Sequence, residues 1–167
     1  TNLGLDYLPG SLTFDPAAGP APGAGEASAI VWLDALVTNV DRTPRNPNLL
    51  AWHRRLWLID HGAALYFHHA WDRAEDPSRA GFPAVKDHVL LPWASDVRGA
   101  GVSLAPRLGR GVLESIVADV PERWLEGEPR FESVAEHRAA YVDHLARRLA
   151  AAPLFVEEAE RARAELV

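Results

Sequence analysis

The strongest constraint on the fold is the helical periodicity of SVAEHRAAYVDHLARRLAAA, residues 133–152. The residues that recur every three or four positions, with charges on the opposite side, are Val134, Arg138, Tyr141, Leu145 and Leu149. This is the pattern of an amphipathic helix. Ser133 followed by Glu136 forms a capping box, which predicts that the helix begins there. We expect a second amphipathic helix after Pro153, and an earlier one over residues 108–120 that ends before Pro121.

Two further segments predict helices, and one segment predicts strands. EASAIVWLDALVTNV, residues 26–40, has apolar residues at helical spacing and predicts a mostly buried helix ending near Asn39. AVKDHVLLPWA, residues 84–94, predicts a helix that stops near Pro92. The apolar runs NPNLLAW and RLWLID, with HRR between them, predict a small β-hairpin. We therefore predict a mainly α fold of the α+β class, with this hairpin as its only regular β-structure.

Length and charge limit the classes of function. The 167 residues fit one domain of ordinary size. The formal net charge is −6 and no basic block stands out, which argues against binding to nucleic acid or to anionic membranes. There is no cysteine, and no apolar run approaches the roughly 20 residues of a membrane span, so we expect a cytoplasmic protein. Because the sequence starts at Thr1 and contains no Met, we also expect it to be a fragment.

A cluster of polar residues surrounds the predicted hairpin. Asp41 and Asn46 are five positions apart on the loop before the first strand, and Asp60 follows the second strand, 19 positions beyond Asp41 and shortly before Gly62. Phosphoryl transfer uses one carboxylate to orient or deprotonate the attacking hydroxyl. It also uses an amide oxygen that holds Mg²⁺ and a second carboxylate that joins the metal to the ATP phosphates. This order and spacing match the catalytic loop and metal-binding Asp of protein kinases. Taken singly, each residue could instead cap a turn.

The segments NLGLDYLPG, DALVTNVDRTPRNPNLL and LWLIDHGAALYFHH resemble the carboxy-terminal lobe of HipA-like kinases, especially the HipA-family proteins of actinobacteria. These proteins are similar in turn to phosphatidylinositol kinases. The resemblance covers residues 1–125. It implies that Asp41 is the catalytic base, that Arg42 stabilises the catalytic loop, and that Asn46 and Asp60 bind Mg²⁺ of Mg²⁺-ATP, Asp60 being the principal ligand. It further implies a connector over residues 1–25 and a kinase-like lobe over 26–167, ending in terminal helices at 131–167.

The sequence departs from the kinase pattern in two respects. His61 stands where the common motif has Phe, so the packing of that Phe cannot be carried over. There is no Gly-rich phosphate loop, and the single Lys, Lys86, lies after Asp60. In the family those parts belong to an amino-terminal lobe, which we expect to be supplied in cis or by a partner chain, and without which we expect no activity.

The expected function is a Mg²⁺- and ATP-dependent phosphotransferase with a hydroxyl acceptor, protein Ser/Thr being the first choice. The alternatives are a lipid or small-molecule kinase, and a non-catalytic binding module or pseudokinase fragment that keeps the lobe as a scaffold. A metal site built from His61, His68 and His69, which His53 could join, is a weaker alternative, because no Cys and no helical His pair accompanies them. His137 and His144 lie two helical turns apart, and we expect both on the surface.

Overall fold

The computed structural model of the chain describes residues 4, 6–18, 21–69, 71 and 76–166. In this part of the chain the fold is mainly helical with one small antiparallel sheet, so the predicted α+β class is confirmed. The strands are β1 (Leu12–Thr13), β2 (Leu49–Trp52) and β3 (Arg55–Leu58). The helices are α1 (Ala24–Leu36), α2 (Val97–Leu104), α3 (Arg110–Ala118), α4 (Val134–Ala150) and α5 (Ala152–Ala164). Short 3₁₀ helices cover Tyr66–His69, Pro77–Arg79, Pro83–Asp87, Leu91–Trp93, Ala105–Arg107 and Glu122–Trp124.

Helix α1 is the centre of the main core. It is buried along most of its length, and Trp32 packs edge-on against Phe155 of α5, with ring centroids 6.1 Å apart. Residues of α5 and of the segment 82–97 complete this core. The helix ends at Leu36, earlier than predicted, because Thr38 has a φ of 54° and leaves the helical path. The loop that follows α1 therefore begins at a helix end that is buried in the core.

The hairpin is confirmed, and the sheet contains one strand more than expected. β2 and β3 pair from Leu49↔Leu58 to Trp52↔Arg55 and are joined by a two-residue turn in which both residues have positive φ. β1 pairs with β2, and the adjacent Phe14 is buried. The prediction that the hairpin is the only β-structure was therefore wrong, and part of the predicted connector belongs to the sheet. A two-residue strand is too short to show a readable alternation.

The carboxy-terminal helices follow the sequence closely. The Ser133 side chain accepts a hydrogen bond from the backbone N–H of Glu136 at 3.1 Å, so the predicted amino-terminal cap of α4 is confirmed. The Glu136 carboxylate bonds the backbone N–H of Glu132, one residue before the position a capping box predicts. Pro153 lies in the first turn of α5, where its missing N–H costs nothing.

The helix predicted over residues 84–94 is absent; two short 3₁₀ helices stand there, separated by residues 88–90. The backbone N–H of Val89 bonds the carbonyl of Arg42 at 2.9 Å. This long-range contact uses a donor that a continuous helix would have needed. Helix α2, which we did not predict, contains two glycines and is capped by the Asp96 side chain.

His137 and His144 are buried, so the prediction that they lie on the surface was wrong. The ring of His144 stacks on Phe67, with centroids 3.4 Å apart, and His137 stacks on Phe131 at 4.4 Å. The segment that follows the hairpin covers this side of α4 with aromatic rings. Burial, together with the charges of Arg148 and Arg147, lowers the pKa of His144 to about 4.

Arg148 connects α4 to the end of α1. Its guanidinium is buried and donates to the carbonyls of Ala35, Leu36 and Ala80. Burial lowers the pKa of Arg148 to about 10. The last carbonyls of α1, which have no partner within the helix, are thereby satisfied. Among the described residues no helix is long and apolar enough to cross a membrane.

Candidate functional site

Two loops meet at one end of the hairpin. The loop of residues 37–48 leads from α1 into β2, and the turn of residues 59–64 follows β3. Because β2 and β3 are antiparallel, the start of one lies beside the end of the other, and the backbone N–H of Ile59 bonds the carbonyl of Asn48 at 3.0 Å. The hairpin thus places the two polar groups of the sequence side by side.

Asp41 and Asn46 are in direct contact. The amide nitrogen of Asn46 donates to Oδ2 of Asp41 at 2.6 Å. The chain between them turns back on itself, with Thr43 and Asn46 exchanging backbone hydrogen bonds of 3.1 Å on either side of Pro44. With its nitrogen engaged by Asp41, Asn46 has its amide oxygen available for another partner. The side chain of Asn46 is exposed, so such a partner can reach it from solvent.

Asn48 joins Asp60 to this pair. Its amide nitrogen lies 3.3 Å from Oδ2 of Asp41 and 3.4 Å from the backbone oxygen of Asp60. Asp60 has a φ of 48°, a left-handed conformation that Asp tolerates better than most residues. Its carboxylate accepts the backbone N–H of Gly62 at 3.2 Å. Asp41, Asn46 and Asp60 therefore lie around one edge, and the buried Asn48 holds the edge together.

Arg42 points inward beneath this edge. Its side chain is fully buried, and it donates through Nε to Asp34 at 2.5 Å. Nη1 donates to the backbone oxygens of Asn48 and Ile59, and Nη2 donates to Asp34 and to Nε2 of His61, the latter at 3.0 Å. All five N–H groups of the guanidinium are thus used. Such burial favours the predicted role of stabilising the loop, because a buried guanidinium cannot also contact a substrate at the surface.

Asp34 is the counter-ion of Arg42 and was not among the predicted site residues. It is completely buried on α1, and it also accepts from His88 at 2.9 Å and from Asn39 at 3.0 Å. Burial by itself raises the pKa of Asp34, but the hydrogen bonds from His88 and Arg42 outweigh it and hold that pKa below its ordinary value. The available signal was a single carboxylate inside the apolar run AIVWLDAL, a position where a charge needs a partner.

His88 is the second residue that the sequence did not reveal. The backbone N–H of Leu90 donates to Nδ1 of its ring at 3.0 Å, so the ring proton lies on Nε2 and is donated to Asp34. This contact connects the segment between two short 3₁₀ helices to the buried Arg42–Asp34 pair. The sequence separation of 54 residues between His88 and Asp34 hides the contact from any local pattern.

His61 is the exposed member of the network. Because Nη2 of Arg42 donates to Nε2, the ring proton of His61 lies on Nδ1. Partial burial of the ring and the nearby charge of Arg42 lower the pKa of His61, against the opposing effects of Asp34 and Asp60. His61 therefore makes a polar contact with the buried Arg42, whereas a Phe at this position could only pack against it.

The exposed edge offers oxygen ligands. Asp60 and Asn46 are exposed and Asp41 is partly exposed, which gives two carboxylates and one amide oxygen. In the described part of the chain, no three acidic or histidine side chains form a metal site by themselves. Such an incomplete set fits Mg²⁺, which usually keeps several waters and binds one or two carboxylates together with substrate phosphates. The alternative histidine site is reduced to His68 and His69, whose Nε2 atoms lie 3.0 Å apart.

Comparisons of the chain with family models, with curated proteins and with solved structures give no significant match.

Proposed function

We propose that this chain is the part of a Mg²⁺- and ATP-dependent phosphotransferase that holds the catalytic base and the metal ligands. The observation that carries the proposal is that the amide of Asn48 ties the Asp41–Asn46 pair to the backbone oxygen of Asp60, so that all three residues lie at the same end of the hairpin. A carboxylate beside an amide oxygen, with a second carboxylate nearby, is the set of groups that phosphoryl transfer requires. Protein Ser/Thr is the first choice of acceptor hydroxyl.

In this proposal Asp41 orients the acceptor hydroxyl and takes its proton. The hydroxyl oxygen forms a bond to the γ-phosphorus of ATP, the bond from that phosphorus to the bridging oxygen breaks, and ADP leaves. Asn46 holds Asp41 in place through the 2.6 Å hydrogen bond and turns its own amide oxygen outward. Asp60 and Asn46 are the groups that would hold Mg²⁺, which would neutralise charge on the phosphates.

Arg42 maintains the geometry from below. Its guanidinium bonds the backbone just before β2 and just after β3, at the open end of the hairpin, and so ties the loop carrying Asp41 to the turn carrying Asp60. The groups that cradle the phosphates in kinases, a Gly-rich loop and a Lys that precede the catalytic loop, have no counterpart in these 167 residues, whose single Lys, Lys86, follows Asp60. We propose that they come from an amino-terminal lobe of the same protein or from a partner chain.

The test is a phosphate-transfer assay on the complete gene product with Asp41→Asn and Asp60→Asn. We expect each to lower the rate by roughly 100-fold or more, because each removes a charge that acts at the transferred group. Asp119→Asn is a matched control, since Asp119 is exposed at the end of α3, and it should leave the rate unchanged.

Two outcomes would contradict the proposal. Transfer that is unaffected by both substitutions would show that the assigned roles are wrong. Mg²⁺-ATP binding that depends on Asp60, without any transfer of phosphate to a protein, lipid or small alcohol, would instead favour a binding module that keeps the lobe as a scaffold.

A further inference from the structure

The turn after β3 is attached to the buried core at His61. The turn itself is short, with the N–H of Ala64 bonded to the carbonyl of His61 at 2.9 Å and the N–H of Gly62 bonded to the Asp60 carboxylate. The His61 ring is the one side chain of residues 60–62 that reaches Arg42. Of the other acceptors of Arg42, Asp34 belongs to α1, the carbonyl of Asn48 precedes β2, and the carbonyl of Ile59 is a second, longer contact at the start of the same turn.

The support behind His61 is rigid. Arg42 and Asp34 are fully buried, and Asp34 is held in turn by His88 and Asn39. Since the guanidinium is planar and its other N–H groups are engaged, its direction toward His61 is fixed. A hydrogen bond at 3.0 Å to a fixed donor restrains the ring of His61, the residue that directly follows Asp60. The backbone oxygen of Asp60 is held separately by Asn48.

We infer that His61 is a positioning residue, a polar latch that orients Asp60 for metal binding by accepting a hydrogen bond from Arg42. The inference rests on the proposed function, because it assigns a purpose to the geometry of Asp60. An apolar residue at position 61 could not play this role, because the role requires an acceptor atom where Nε2 meets Nη2 of Arg42. A Phe would leave one N–H of the buried Arg42 without a partner, which is costly.

Two amide substitutions separate the latch from simple packing. In His61→Gln the amide oxygen stands at the same number of bonds from Cβ as Nε2 and can still accept from Arg42. In His61→Asn the amide oxygen stands only as many bonds from Cβ as Nδ1 does, so it does not reach Nη2 of Arg42. The chemistry of the two side chains is otherwise the same. His61 is exposed, so both variants and His61→Phe are expected to fold.

The first measurement is amide hydrogen exchange of the chain without ligand. We expect the N–H groups of Gly62 and Ala64 to exchange faster in His61→Asn and His61→Phe, and at the original rate in His61→Gln. Exchange at Val142, which is buried on α4, is the internal reference and should not change. Equal exchange in the Gln and Asn variants would overturn the latch.

The second measurement is the Mg²⁺ concentration that gives half-maximal phosphate transfer in the complete gene product. We expect it to rise roughly tenfold or more in His61→Asn and His61→Phe, since loss of a group that orients a metal ligand typically costs 10- to 100-fold in metal affinity. His61→Gln should retain the original value. Faster exchange without a higher Mg²⁺ requirement would overturn the positioning role while leaving the proposed function intact. Absence of transfer in the unsubstituted protein would overturn the proposed function and the positioning role together, and hydrogen exchange would still decide whether the latch exists.

Discussion

The buried ion pair between Arg42 and Asp34 should be the most sensitive point of the fold. Both side chains have no exposed surface, and Nε of Arg42 lies 2.5 Å from Oδ2 of Asp34. Asp34→Asn keeps the shape of the side chain but removes its charge, which leaves a buried guanidinium without a counter-ion. Removing one partner of a buried pair typically costs about 3–5 kcal/mol. We expect a loss of this size in the free energy of unfolding at pH 7.

The assay is urea unfolding followed by circular dichroism. For a denaturant dependence of about 2 kcal/mol per M, a loss of about 3–5 kcal/mol lowers the unfolding midpoint by about 1.5–2.5 M. The matched control is Glu160→Gln, which removes the partner of Arg98 in an ion pair of the same 2.5 Å length. In that pair the two side chains are 53% and 41% exposed, so water replaces the lost partner and the midpoint should hardly move.

The two pairs differ in burial and in the further partners of Asp34, His88 and Asn39, so the comparison tests the whole buried network against an exposed ion pair. If Asp34→Asn shifts the midpoint no more than Glu160→Gln does, the pair does not support the site as we describe it. A shift confined to Asp34→Asn would show that this desolvated charge pair stabilises the fold that carries Asp41 and Asp60.

Two further predictions concern acid stability and nucleotide binding. The pKa of His144 is about 4 in the folded chain, against an ordinary value of 6.5, so the folded state binds fewer protons than the unfolded state. This contribution to stability is complete above pH 6.5 and is lost as the pH falls toward 4, with a maximum of about 3 kcal/mol. Urea midpoints measured from pH 7 to pH 4.5 should show the loss, and His144→Phe should reduce it; an unchanged pH dependence in that variant would contradict the assignment. For the 167-residue chain alone, calorimetry should show Mg²⁺-ATP binding much weaker than micromolar, since each missing charge-assisted phosphate contact costs about 1.5–3 kcal/mol. Micromolar binding would mean that local groups such as Trp57 build a nucleotide pocket.

The elements that the sequence determined are those with a readable local pattern. Helix α4 begins at the capping side chain of Ser133 and has a helical period along its length. Pro121 follows the end of α3, and Pro153 lies in the first turn of α5. The hairpin follows from two apolar runs around a polar turn. The spacing of Asp41, Asn46 and Asp60 was also readable, because a helix, a loop and a hairpin bring residues at those positions to the same end. Their catalytic roles stay predictions.

Tertiary structure alone decided what lies beneath the site. β1 forms only because β2 offers it an edge, and a two-residue strand carries no periodicity of its own. His88 meets Asp34 across 54 residues, and the next residue, Val89, donates its backbone N–H to the carbonyl of Arg42 instead of continuing the helix that the local pattern predicted. His137 is buried because the ring of Trp71, from the segment after the hairpin, and the ring of Phe131, just before α4, cover its helix face. Local sequence specifies backbone preference. Burial and charge pairing depend on contacts between residues that are far apart in the sequence, and those contacts form only in the folded chain.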